Sequence, residues 1–275
     1  MQIKNYYFRK YLPFTQAGIQ SLLSYRLDFF LYRIGDVLTA FVTYFVWRAV
    51  FLSSSHPQLN GFTINQMVIY IFLSFLTTEL SSSDGTWTIG EEVKDGSIAM
   101  RLLKPINFNA TYLFEEIGHK IVSAGMIIPP LLGGMIVYQF FNPNVVPFNL
   151  ENLVLFLFSA LLAYLINFYF NVCYGFSAFV FKNLWGSNHM KNAIVAFMSG
   201  TLIPLAFYPQ LLGKILQFFP FASLVYTPVM IYMGKYDINQ LYLVIFLQLF
   251  WLIFFIFLSK FIWHFTIKHL IIQGG

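Results

Sequence analysis

Charge and cysteine are both scarce in this chain. Only 10% of its 275 residues are Asp, Glu, Lys or Arg, against 58% hydrophobic and 20% aromatic. A water-soluble fold of this length could not hide so much apolar surface, whereas a bilayer solvates it directly. Cys173 is the only cysteine, so no intramolecular disulfide can form. Set within an apolar stretch, that thiol reads as a packing residue. The G-x-x-x-x-G-K-[ST] phosphate loop is missing, so the chain does not bind ATP in that manner by itself. The alternating segments of roughly 10 residues that build a membrane β-barrel are missing too. No carboxylate falls near the centre of an apolar run, where a proton relay would need one, and this weakens a proton-coupled carrier.

What is present is a series of continuous apolar runs, each near the roughly 20 residues that a helix needs to cross the hydrocarbon layer. Six spans are expected: Ile34 to Leu52, Ile64 to Leu80, Ile121 to Phe141, Leu153 to Phe181, Asn192 to Tyr208 and Ile238 to Trp263. The fourth is longer than a straight crossing requires, which implies tilt, a kink or a projection beyond the membrane. Pro129-Pro130, followed by Gly133-Gly134, bends the third. The opening residues do not read as a secretory signal, because no apolar run begins near Met1.

The basic residues alternate between sides. Lys4, Arg9, Lys10, Arg26 and Arg33 precede or open the first span, and the loop from Ser53 to Gly61 has none. Lys94, Arg101, Lys104 and Lys120 fill the next loop, and Asn142 to Asn149 again has none. Lys182 and Lys191 flank the fourth span, and Lys260 and Lys268 lie near the end. This is the positive-inside pattern, and it places both termini in the cytosol with Arg48, Lys214 and Lys235 as outward exceptions. The net charge of +5 is thus mainly an orientation signal. Spread along the chain, it gives little support for nucleic-acid binding.

Residues 1–33 read as an interfacial segment. Ile19, Leu22, Leu23 and Leu27 recur at helical spacing after Tyr6, Tyr7, Phe8 and Tyr11, which are interleaved with Arg9 and Lys10. The Ser-Ser-Ser-His-Pro and Asn-Pro-Asn-Val-Val-Pro breaks read as outer turns, with His56 solvated. Residues 81–120 hold about half of the acidic residues. There Thr88-Ile89-Gly90-Glu91 fits a capping box, and Gly96 suits the left-handed close of a short helix. A second short helix from Ile98 to Leu103 stops at Pro105. Residues 207–236 are apolar but broken by Pro209, Gly213, Pro220 and Pro228, leaving pieces too short to cross. They suit a re-entrant or outward-lying hairpin, and the competing reading is one kinked extra span.

Polar residues near the membrane are few. Asp36 and Glu79 sit near cytosolic ends, with Arg33 placed for an i,i+3 pair to Asp36. Asn167 and Asn171 share a face of the fourth span and read as helix glue or a polar path. Glu115, Glu116 and His119 could share a helical face, which invites a membrane-embedded enzyme or metal site. The pattern is neither H-E-x-x-H nor its inverse, and no second intramembrane His accompanies it.

The stretch from Glu91 to Asn107, with its Gly96-Ser97-Ile98, Leu102-Leu103 and Lys104-Pro105-Ile106-Asn107, resembles the segment after the second span in permease subunits of type-2 ATP-binding cassette exporters. Its ending is most similar to a bacterial branch whose permeases often form unlike pairs. Phe219-Pro220-Phe221 and Thr227-Pro228 resemble that family's outer hairpin. The resemblance implies an all-α membrane protein: six transmembrane helices, an N-terminal interfacial helix, a cytosolic coupling helix and an outer re-entrant hairpin, forming one permease domain over residues 1–275. It implies that Glu91, Glu92, Lys94, Asp95 and Arg101 contact a separate ABC ATPase subunit. It places the translocation path along the second and fifth spans, with Thr77, Thr78, Phe197 and Thr201 as lining candidates. A second permease, identical or related, would complete that path. The chain itself would carry no cofactor, with ATP and magnesium held by the partner ATPase, and it would sit in the cell membrane and export its substrate. Drug, lipid-linked glycan, peptide and lipid all remain open as that substrate.

Overall fold

Polar side chains at the breaks between apolar runs decide where the helices begin. The computed structural model describes residues 2–24, 26–142, 145–181 and 183–266, without the side chains of residues 2–8, Arg26, Asp28, Phe29 and Arg33. The expected Arg33–Asp36 pair, the Tyr6, Tyr7 and Phe8 rings, Lys182 and Lys268 therefore lie outside what is described. Among the described residues the fold is helical, with one isolated bridge between Leu59 and Phe62.

Helix α1 (Gln2–Ser24) is followed after one residue by α2 (Arg26–Ser53). The next helix, α3 (Ile64–Ser81), opens on a true capping box: Thr63 Oγ1 accepts from the Gln66 amide at 3.2 Å, and Gln66 Oε1 accepts from the Thr63 amide at 3.3 Å. After a bend at residues 82–84 come α4 (Gly85–Asp95) and α5 (Ile98–Leu102). Asn107 then caps α6 (Phe108–Phe141), and Asn149 caps α7 (Leu150–Gly175), which continues as a 3-10 turn through Phe179. The remaining helices are α8 (Trp185–Met198), α9 (Gln210–Phe218), α10 (Tyr226–Tyr232) and α11 (Ile238–Thr266).

Among the described residues, five stretches are long and apolar enough to cross a membrane: Phe30–Ser53, Ile64–Asp95, Phe108–Phe141, Leu150–Phe179 and Ile238–Thr266. Four lie in α2, α6, α7 and α11, the α7 stretch extending through its terminal 3-10 turn; the fifth joins α3 to α4. The expected fifth span, Asn192 to Tyr208, is not one helix. Its residues divide between α8, an irregular turn and a 3-10 turn at Leu205–Phe207. The cause is Gly200, whose φ of 82° ends α8 in a conformation that side-chain-bearing residues rarely adopt. Tyr70 holds the turn, its hydroxyl donating to Gly200 O at 2.7 Å. At 14 residues α8 is about 21 Å long, short of the roughly 30 Å hydrocarbon thickness. α6, in contrast, runs unbroken through Pro129 and Pro130.

The main core lies between α3, α7 and α10. Every residue of α10 from Tyr226 to Tyr232 is buried, against Ile69, Leu73, Phe156 and Ile166 among others. Gln248 of α11 is fully buried, donating to Ser159 O at 3.2 Å and Ser223 O at 3.0 Å and accepting from Ser159 Oγ at 2.9 Å. Such interhelical bonds fix register where apolar packing alone is slippery. Asn167 and Asn171 also act as glue: Asn171 Nδ2 donates to Asn167 Oδ1 at 2.8 Å, and Asn167 Nδ2 to Ser81 O at 2.8 Å.

α1 packs along the first half of α6 at backbone contact. A Cβ on Gly18 would come within 2.2 Å of Glu115 O, and one on Gly118 within 2.2 Å of Thr15 O. Tyr11 stacks on Phe114 at 5.0 Å and accepts from the Asn107 amide at 3.2 Å. A smaller second core (Ile89, Ile98, Phe108, Tyr112, Tyr164, Phe168, Val172 and Phe176) seats α4 and α5 on α6 and α7.

Candidate functional site

α4 and α5 form a short bent arm at one end of the bundle. Ile89 is fully buried and packs on Gly175, where an added Cβ would meet its Cδ1 at 3.0 Å. Trp87, Glu91 and Lys94, at helical spacing, fall on the other side. Trp87 is 45% exposed, the Lys94 and Glu91 side chains are 53% and 44% exposed, and Asp95 is exposed. Gly96 closes α4 at φ 79°, as its type and place predict. The expected Thr88–Glu91 capping box is not formed. α4 already begins at Gly85, so Thr88 lies inside it and donates to Asp84 O at 3.2 Å.

The arm is tied down at three places. At its start, Glu116 of α6 is buried and accepts from Ser83 Oγ at 2.8 Å and from the Asp84 amide at 3.0 Å. Its other oxygen accepts from the Tyr164 hydroxyl at 3.4 Å. Lys120, one turn on, donates to Glu79 O at 3.0 Å and Ser82 Oγ at 3.1 Å, closing the bend between α3 and α4.

In the first turn of α4, Thr86 donates to Asn171 Oδ1 of α7 at 2.8 Å and accepts from Lys191 Nζ of α8 at 3.0 Å. Lys191 also donates to Asn171 Oδ1 and is 7% exposed. Its ammonium lies 5.2 Å from the Tyr174 ring centre. One buried cation therefore joins α4, α7 and α8 through neutral partners.

At the far end, Arg101 of α5 is the hub. Its Nε and Nη2 donate to the two oxygens of Glu92, the Nε bond at 3.0 Å. Nη2 also reaches Glu115 Oε2 at 2.8 Å, and Nη1 reaches Thr111 Oγ1 at 2.9 Å. The guanidinium stands 4.0 Å from the Tyr112 ring centre, and the Tyr112 hydroxyl donates to Glu92. Burial opposes the charge on Arg101, but the bonds and charge of Glu92, with Glu115, more than offset it and hold the pKa above its ordinary value. A planar fork with five donors suits this set, and a lysine could not serve it.

The five residues expected at an ATPase contact thus divide. Glu91, Lys94 and Asp95 face outward, while Glu92 and Arg101 brace the arm. Glu115 and Glu116, the pair behind the enzyme reading, point to opposite anchors. Among the described residues neither carboxylate hydrogen-bonds His119, and no three His, Cys, Asp or Glu side chains are grouped as a metal would need. Of the expected path residues, Thr77 is fully buried, Thr78 and Phe197 are exposed, and Thr201 is half-buried with its hydroxyl 2.8 Å from that of Ser199. Trp87, Thr86 and Tyr112 are not among the residues the sequence singles out, and Lys191 figures there only as a basic residue flanking the fourth span. The Trp87, Glu91, Lys94 stripe was readable from its spacing, whereas the contacts of Lys191 were not.

Several helices long and apolar enough to cross a membrane, with a braced arm at one end of the bundle, are the build of a multi-pass membrane protein. The family described as ABC-2 family transporter protein matches residues 37–274. The chain belongs to that family and is a permease subunit, a transporter component rather than an enzyme. No curated protein matches it.

Proposed function

We propose that this permease is the membrane half of an ATP-driven exporter and that its α4–α5 arm is the coupling element for a separate ATPase subunit. The reading is supported above all by the arm's construction. One face is packed and both ends are tied to α6, so an applied force reaches the long helices without being lost in loop motion. The outward face offers a charged and aromatic stripe, Trp87, Glu91, Lys94 and Asp95, for docking. Glu92 and Arg101 then act from behind it, as the brace.

ATP and magnesium would be bound by the partner. ATP-driven closure of two such partners would push the arms and shift a pair of permeases between inward-open and outward-open states. Both termini would lie in the cytosol of a cell-membrane protein, in accord with the positive-inside pattern. α1 would lie at the interface, α8 with its following turns would serve as the fifth of six spans, and α9–α10 would form the outer hairpin. Thr78 and Phe197, the exposed candidates, would face the path between the two permeases, with Thr201 beside it.

Changing Glu91, Lys94 and Asp95 together to Ala is expected to lower thermal stability by only about 1 kcal/mol, chiefly through loss of the bond that Asp95 Oδ1 accepts from the Ser97 amide at 2.8 Å. It is expected to abolish co-purification of the ATPase. Retained co-purification would refute docking at this face.

A further inference from the structure

The molecule carries a second basic feature that the coupling reading does not use. A groove of about 520 Å³ opens between α5, the start of α6, α7 and the last third of α11. Its walls include Arg101, Lys104, Asn107, Asn109, Lys260 and Trp263. The charge of Arg101 is spent on Glu92 and Glu115. Lys104 and Lys260 are exposed, and among the described residues neither ammonium has an ion-pair or hydrogen-bond partner. The Lys104 ammonium lies 5.0 Å from the Phe14 ring centre and that of Lys260 lies 6.0 Å from the Phe257 ring centre. Trp263 stacks on Phe108 at 4.1 Å and stiffens the wall between α6 and α11. Asn109 Nδ2 reaches Ser259 Oγ at 3.4 Å across the same seam.

Depth decides what such a groove can hold. Lys260 lies roughly 33 Å along α11 from Ile238 at about 1.5 Å per residue, just past a hydrocarbon layer roughly 30 Å thick. That is headgroup level, where Trp is also at home. The residues beside each lysine (Leu103, Phe257 and Phe261) are exposed and apolar, 79%, 65% and 62% respectively. A ligand there meets two uncommitted cations, amide donors and an apolar flank.

We propose that this groove binds the phosphate headgroup of an anionic phospholipid, with Lys104 and Lys260 as its charge partners and the acyl chains along Phe257 and Phe261. Which leaflet supplies the lipid rests on the topology proposed above; the site does not. Native mass spectrometry of the full chain, released from vesicles of equal phosphatidylglycerol and phosphatidylcholine, tests it with no ATPase present, so failure of the coupling reading cannot mimic failure here. Retained phosphatidylglycerol is expected to exceed phosphatidylcholine, and to fall about fivefold with Lys104→Gln and again with Lys260→Gln. Lys214→Gln, an exposed lysine on α9, is expected to change nothing. No enrichment in the unaltered chain would overturn the proposal, as would an equal loss in Lys214→Gln. Displacement of the lipid by millimolar inorganic phosphate would also overturn it and assign the groove to soluble phosphate.

Discussion

Arg101→Ala is expected to release the α4–α5 arm. The guanidinium ties two carboxylates and a threonine hydroxyl on two different elements. Removing it leaves Glu92 and Glu115 facing each other without a cation in a half-buried site. Breaking a buried pair from one side typically costs 3–5 kcal/mol. The Glu92 and Glu115 side chains are 18% and 23% exposed, so solvent recovers part of that, and about 2 kcal/mol is the reasonable size. Hydrogen exchange across residues 85–103 should then speed up about thirtyfold, with little change in α10. Permease-dependent ATP hydrolysis in the assembled complex should fall more than tenfold. Arg101→Lys should restore little, because an ammonium cannot span the fork. Unchanged exchange in the arm would show that the brace is ornamental.

Lys191→Met is the second large effect, and its sign in stability is opposite. Lys191 is buried among neutral partners, so its charge is a cost that Met, of similar length and apolar, does not carry. Thr86 and Asn171 keep their own bond at 2.8 Å when Lys191 is gone. Thermal stability should therefore be unchanged or raised. What is lost is the link from α8 to α4, and with it permease-dependent ATP hydrolysis should drop about tenfold. A fall in stability together with normal coupling would contradict this assignment.

Part of the arm is legible in the sequence. Gly96 and Pro105 mark its two breaks by their own backbone chemistry. Its brace could not be read, because Arg101 finds Glu92 nine residues back and Glu115 fourteen residues on, pairings that only the folded arrangement makes. The Thr88–Glu91 capping box failed for a local reason: the chain is already helical from Gly85, so the amides that Thr88 would cap are spent. Its spacing matched the pattern as well as Thr63-Ile64-Asn65-Gln66 does, and nothing short of the helix start separates the two. The fifth span was overextended past Ser199-Gly200-Thr201 because hydropathy continues where helical geometry does not. Gly200 and Pro204 carried the warning in plain sight.

The central claim is that the α4–α5 arm lies in the cytosol and receives force from a partner there. With Cys173 changed to Ala, a single cysteine at Lys94 reports its side directly. A membrane-impermeant maleimide added to intact cells should leave it unlabelled and should label it once the cells are permeabilised. Labelling in intact cells would put the arm on the outer face and contradict the account.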